Sequence, residues 1–112
     1  MNKIILIGRL TKDPETKITG EDGKMMTRFI LAVDRNYKNA EGEVEADFIP
    51  VVFWGHKAEI ISKYMKKGRL LSVSGRIQTR SYDDSEGNKR YITEVSADDF
   101  QFIDSSKEEN II

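Results

Sequence analysis

Only one stretch of this chain carries a helical repeat; nearly everything else alternates in the manner of strands. From His56 to Lys67 the apolar residues Ala58, Ile61, Tyr64 and Met65 recur at three- and four-residue spacing. Gly68 follows the basic pair Lys66-Lys67, which predicts a helix C-terminus at that point. Runs of β-branched and aromatic residues lie on either side, at about Lys3 to Leu10, Met25 to Tyr37, Asp47 to Trp54, Arg69 to Tyr82 and Arg90 to Ile103. Polar segments at 21–24, 39–43 and 83–88 separate strands, and each holds a glycine suited to positive φ, so they read as hairpin loops. Pro50 is a local conflict, because a residue without an N–H inside the third strand points to an edge or a bulge.

Three strands, one short helix and two strands is the element order of an OB-fold. The expected class is therefore all-β: a five-stranded Greek-key barrel with one short helix between strands 3 and 4, an architecture that often binds oligonucleotides. A length of 112 residues allows one such domain, expected over 1–103, with 104–112 as a short polar, frayed tail. There are no cysteines, which excludes disulfide scaffolds, thiolate zinc sites and cysteine nucleophiles. The N-terminal apolar run Ile4-Ile5-Leu6-Ile7 is too short for a signal-peptide core or a membrane span. A soluble, cytoplasmic protein with no membrane partner is the expectation.

Eighteen Lys and Arg stand against 19 Asp and Glu, a net charge of −1, whereas phosphate binders usually carry a basic excess. The charge is unevenly placed. Residues 1–82 hold 15 basic and 10 acidic residues, and 83–112 hold 3 and 9. Within 57–80 seven basic residues, Lys57, Lys63, Lys66, Lys67, Arg69, Arg76 and Arg80, face only Glu59. On charge alone a solvated helix face and strand edge explain this patch more readily than a phosphate track.

Aromatic placement shifts that balance. On the third strand Phe48, Pro50, Val52 and Trp54 share one face, while Ile49, Val51 and Phe53 share the other. One face must be core. The other then exposes Phe48 and Trp54 about 20 Å apart, at roughly 3.3 Å per residue, a span suited to bases stacked along an extended strand. On the fourth strand Arg76, Gln78, Arg80 and Tyr82 share a face in the same way. Rings beside basic and amide groups suit single-strand binding, because every base has a π-face and every nucleotide a charge to neutralise. Phe29, Phe53, Phe100 and Phe102 read as core, and Tyr64 as packing between helix and barrel. No enzyme is expected: His56 lacks a partnering nucleophile motif and reads as a cap or surface residue. The Asp83-Asp84-Ser85-Glu86-Gly87 run lacks calcium-loop spacing, and the scattered Gly8, Gly20 and Gly23 form no phosphate loop. No metal and no cofactor is implied.

Several motifs occur together and in order: Asn2-Lys3-Ile4-Ile5-Leu6-Ile7-Gly8-Arg9-Leu10, Lys12-Asp13-Pro14-Glu15, Phe53-Trp54-Gly55 with Ala58-Glu59, Tyr64-Met65-Lys66-Lys67-Gly68, and Ser74-Gly75-Arg76-Ile77-Gln78-Thr79-Arg80-Ser81-Tyr82 with Arg90-Tyr91-Ile92-Thr93-Glu94-Val95. With them the chain resembles the bacterial single-stranded DNA-binding proteins from about residue 2 to 103. The resemblance implies an OB-fold homotetramer that binds single-stranded DNA without sequence preference and protects it in replication, recombination and repair. It implies stacking rings at Tyr37, Phe48, Trp54 and Tyr82, and basic contacts at Lys3, Lys66, Lys67 and Arg80. Tyr37 rests on the resemblance alone; Arg9, Arg35 and Arg76 are added from local charge and strand placement.

Departures from the family pattern carry expectations of their own. Pro50, His56, Gln78 and Ser81 stand where members often place a basic residue, which predicts fewer phosphate contacts and a gentler salt dependence, by roughly 0.7 in log–log slope per lost contact. The chain stops at Asn110-Ile111-Ile112 without the acidic tip that recruits enzymes in the family, so partners that depend on such a tip are not expected. The alternative from another class is an OB-fold assembly or adaptor subunit of a replication-restart type complex, with the rings buried in a protein interface.

Overall fold

The alternation of apolar and polar residues becomes six strands and one helix in the computed structural model, which describes residues 1–20 and 22–103. In chain order these are β1 (Ile4–Leu10), β2 (Glu15–Thr19), β3 (Lys24–Lys38), β4 (Val44–Trp54), α1 (His56–Tyr64), β5 (Leu70–Asp83) and β6 (Lys89–Phe102). The expected tail at 104–112 lies outside the described residues. No helix among the described residues is long and apolar enough to cross a membrane.

Five strands close a barrel in the order β1-β5-β6-β4-β3, with β1 returning to pair with β3 at Arg9↔Ala32 and Leu10↔Leu31. All neighbours are antiparallel except β4 and β6, which meet in parallel at Val51↔Val95 and Val52↔Ser96. The fold is the all-β OB barrel, with its helix between the third and fourth barrel strands. The unexpected element is β2. It pairs with β3 over Lys24–Arg28, on the edge where β1 leaves off, so it prolongs β1 after the break at Asp13-Pro14. Its sequence, Glu-Thr-Lys-Ile-Thr, has one large apolar residue and an exposed surface, and the ladder with β3 sustains it. A hydroxyl contact between Thr16 and Thr27 at 2.8 Å helps to hold that ladder.

Alternate residues fill the barrel: Leu10, Phe29, Leu31, Val51, Phe53, Leu71, Val73 and Val95 form one buried cluster, closed at one end by Ala58 and Ile61 of α1 and by Met65. Phe53 stacks near Phe29 and meets Phe100 edge-on. Two expected packing residues are more open. Phe102 and Tyr64 touch each other edge-on at the last turn of α1, yet Tyr64 remains largely solvated. The helix also stops at Tyr64, three residues earlier than its periodicity suggests, because Met65 turns extended and buries its side chain in the core. Gly68 instead serves the entry to β5, its N–H donating to the Leu10 carbonyl.

Pro50 is accommodated as an edge residue: β4 pairs with β6 only at Val51 and Val52, so on that side the strand is open at Pro50. Gly75 is required by a close approach. A Cβ there would stand 2.3 Å from the Ser96 carbonyl oxygen, at the bulge where the β5–β6 register shifts. The long hairpins end in matching loops. Asn39 Oδ1 accepts the N–H groups of Glu41 and Glu43, and Asp84 Oδ1 accepts those of Glu86 and Asn88.

Candidate nucleic-acid interface

Strand parity on β4 resolves into an inner and an outer face. Ile49, Val51 and Phe53 point to the core, whereas Phe48 is 64% and Trp54 45% exposed, with Val52 nearly covered between them. The β3 register sets Met26 beside Trp54, Arg28 beside Val52 and Ala32 beside Phe48. Trp54 ends its strand because Gly55 follows at φ 72°, a left-handed turn that glycine adopts without steric cost, and the Gly55 N–H donates to the Met25 carbonyl. The end of the strand is thus held at the rim of the sheet, where the Trp54 ring is part-exposed.

The outer residues of β5, Arg76, Gln78, Arg80 and Tyr82, stand opposite Ser96, Glu94, Ile92 and Arg90 of β6. Because β6 also pairs with β4 at Val52↔Ser96, these side chains continue the surface that carries Trp54. Between them runs a groove of about 310 Å³, lined by Met26, Arg28, Val52, Trp54, Gln78, Arg80, Glu94 and Ser96, two residues from each of four strands. At its floor lies the Glu94 carboxylate, only 6% exposed. Arg80 Nε donates to Glu94 Oε2 at 3.2 Å, and Arg28 Nε lies 3.8 Å from Oε1. Arg28 and Glu94 were not legible as site residues in the sequence, since only the four-strand register brings them beside Trp54.

The remaining candidates divide among three places. Tyr82, half-exposed, extends the groove along β5, and Arg76 reaches Gln78 Oε1 at 3.4 Å. Lys3 lies just before β1, where Asn2 extends the pairing: its Nδ2 donates to the Ile77 carbonyl and its Oδ1 accepts the Ile77 N–H. Asn2 is a positioning residue that strand periodicity could not reveal. At the far end of α1, Lys66 and Lys67 are exposed near Arg9, whose Nη1 donates to the Gly68 carbonyl at 3.0 Å. The third place is the β3–β4 hairpin, with Tyr37 and Phe48 both exposed. There Arg35 is gripped by acids: Nε and Nη2 donate to Asp47, and Nη1 donates to Glu45 at 3.0 Å. The hydrogen bond and charge of Asp47 raise the Arg35 pKa, and the hydrogen bond from Arg35 in turn lowers that of Asp47. The structure thus brings Trp54, Tyr82, Arg76 and Arg80 onto one surface, and leaves Arg9, Lys66 and Lys67 at another end.

His56 is exposed at the start of α1 and lies 3.7 Å from Glu59, without a side-chain capping bond. Asp84 is a turn residue whose second carboxylate oxygen accepts from Arg90 Nε at 2.9 Å. Neither lines the groove.

A model of the single-strand binding protein family matches residues 1–103, the whole barrel with both hairpins. The chain belongs to that family. Single-stranded DNA-binding protein 3 of Clostridium acetobutylicum is 56% identical over 110 residues, spanning 98% of this chain and 76% of that protein. Single-stranded DNA-binding protein 1 of the same organism is 52% identical over 108 residues, spanning 96% of this chain and 98% of its own. The single-stranded DNA-binding protein of Caldanaerobacter subterraneus subsp. tengcongensis is 54% identical over 104 residues, 93% of this chain and 69% of that protein. In this member of the family, Trp54 and the two arginines around Glu94 occupy the same outer surface of the barrel.

Proposed function

We infer that this protein binds single-stranded DNA without sequence preference, protecting it in replication, recombination and repair, and that it does so without catalysis. The observation that carries this is the β4 surface: Phe48 and Trp54 stay exposed while Ile49, Val51 and Phe53 turn to the core, and Trp54 borders a groove walled by Arg28 and Arg80. Stacking is indifferent to base identity, and guanidinium groups neutralise the backbone charge that every sequence shares. Tyr37 and Tyr82 extend the ring track, and Lys3, Arg76, Lys66, Lys67 and Arg9 offer further phosphate contacts. Arg35 contributes least in this scheme, because Asp47 and Glu45 outnumber it.

The working form we propose is a homotetramer. Ile5 and Ile7 are 64% and 53% exposed on the outer side of β1, apolar surface suited to a second copy of the chain. Acting on DNA places the protein at the nucleoid, in the bacterial cytoplasm. Trp54 is the only tryptophan, so its fluorescence reports binding directly. Titration with oligo(dT) at low salt is expected to quench it to a saturating end point at a fixed nucleotide stoichiometry. No quenching and no retention of oligo(dT) would overturn the assignment. Native mass measurement tests the tetramer, and alanine at Phe48 and Trp54 separates stacking from assembly: loss of DNA affinity with the oligomer intact supports stacking, and loss of the oligomer supports an adaptor interface.

A further inference from the structure

A buried carboxylate in the middle of a surface meant for phosphates is a chemical contradiction unless it performs a task there. Glu94 is 6% exposed, and its Oε1 has no hydrogen-bond partner; neither does the Nε of Arg28 that faces it at 3.8 Å. Burying an ionised carboxylate with one oxygen unsatisfied is costly. A carboxylate directly opposite Gln78 would also repel an approaching phosphate if it acted alone. What it does in this structure is draw two guanidinium groups to one acid, Arg80 by a hydrogen bond and Arg28 by charge alone. Arg80 and Arg28 approach it through Nε, and among the described residues their Nη groups have no protein hydrogen-bond partner. Both side chains remain part-exposed on the groove that Trp54 borders. Anchored at Nε, the Arg80 guanidinium keeps its terminal N–H donors in a fixed plane, the geometry that phosphate oxygens accept, and the charge of Glu94 draws the Arg28 guanidinium in beside it.

We propose that Glu94 is a positioning residue: it sets Arg28 and Arg80 as a two-arginine clamp for a single phosphodiester, so that one nucleotide is seated as a unit with its base on Trp54. This rests on single-stranded DNA being the ligand, and it adds Arg28 and Glu94 to the binding surface. Two cations around one anion leave the clamp a net +1, so an anionic ligand completes its charge balance.

The test is Glu94→Gln in the full chain, with oligo(dT) binding followed by Trp54 fluorescence across a series of NaCl concentrations. If Glu94 were a bystander, deleting its negative charge would tighten binding and leave the salt slope unchanged or steeper. Positioning predicts the opposite sign: binding weakened by about tenfold, the order of one lost charge-assisted hydrogen bond, and a log–log slope shallower by roughly 0.7. Equal or tighter binding overturns the proposal, and so does weaker binding at unchanged slope, since the loss would then come from elsewhere than a phosphate contact. Should Glu94→Gln not fold, Arg28→Gln at the part-exposed wall carries the test: a slope shallower by roughly 0.7 is expected, and an unchanged slope overturns the clamp. Failure of the native chain to bind oligo(dT) would instead remove the DNA-binding assignment itself.

Discussion

Two arginine–carboxylate clusters on this barrel are near inversions of each other. Around Glu94, two arginines share one buried acid, and the cluster keeps a net +1. Around Arg35, two exposed acids share one arginine, and the cluster keeps a net −1. In the first, the acid accepts from Arg80 at Nε and meets Arg28 only as an ion pair at 3.8 Å; in the second, Asp47 and Glu45 accept from Nε and both Nη nitrogens. A count of basic residues along the chain treats Arg35 and Arg80 alike. Their surroundings do not: an arginine engaged by carboxylates at all three nitrogens offers less to a phosphate than one held at a single nitrogen, whose terminal N–H donors remain available.

The contrast runs along β4, with Trp54 at the positive end and Phe48, next to Asp47, at the negative end. The largest expected effect therefore falls on Trp54→Ala, where losing a stacked base costs about 1–3 kcal/mol of oligo(dT) binding; Phe48→Ala is expected to cost less, as a phosphate beside it stands within a Debye length of the net negative cluster. Equal losses at the two rings, measured by filter retention because Trp54 fluorescence is lost in one variant, would mean that the clusters do not grade the strand.

Next in size is Asp47→Asn. Removing that acid brings the hairpin cluster to neutrality and releases two Arg35 nitrogens, so affinity should rise by about threefold at low salt and the slope should steepen by up to roughly 0.7. The gain should vanish at high salt. A smaller effect, on stability alone, comes from the matching hairpin loops. Asp84 is held below its ordinary value of 3.8 by the Asn88 N–H above all, with Arg90 and the Glu86 N–H adding to it against the opposing cost of burial. An unfolded chain then binds more protons than the folded one between the two values, so this contribution is complete above about pH 4 and is lost as pH falls through the lowered folded value. Asp84→Asn can keep the loop, because Asn39 makes the same two backbone bonds in the other hairpin. Its urea midpoint is expected to fall slightly at neutral pH and to depend less on pH below 4 than that of the native chain.

The faces of the strands were legible in the sequence because strand period is exactly the information alternation carries: Phe48 and Trp54 out, Val51 and Phe53 in. The helix was legible for the same reason, although not its end, since Met65 leaves the helical path to reach the core. β2 was not, because an exposed strand with one apolar residue has no period to read. The Arg28–Glu94–Arg80 cluster was hidden for a different reason. It depends on which strands lie side by side, through the short parallel contact between β4 and β6, and no local pattern reports that. Asn2, which substitutes a side-chain amide for one residue of a strand ladder, is equally invisible to periodicity.

The most direct measurement is the salt dependence of oligo(dT) binding in Arg80→Gln and Arg35→Gln, read side by side by Trp54 fluorescence against the native chain. Arg80→Gln should bind about tenfold more weakly with a slope shallower by roughly 0.7, and Arg35→Gln should match the native slope and stay within about twofold in affinity. A lost contact in Arg35→Gln together with a native slope in Arg80→Gln would place the strand on the other end of the barrel and contradict the account.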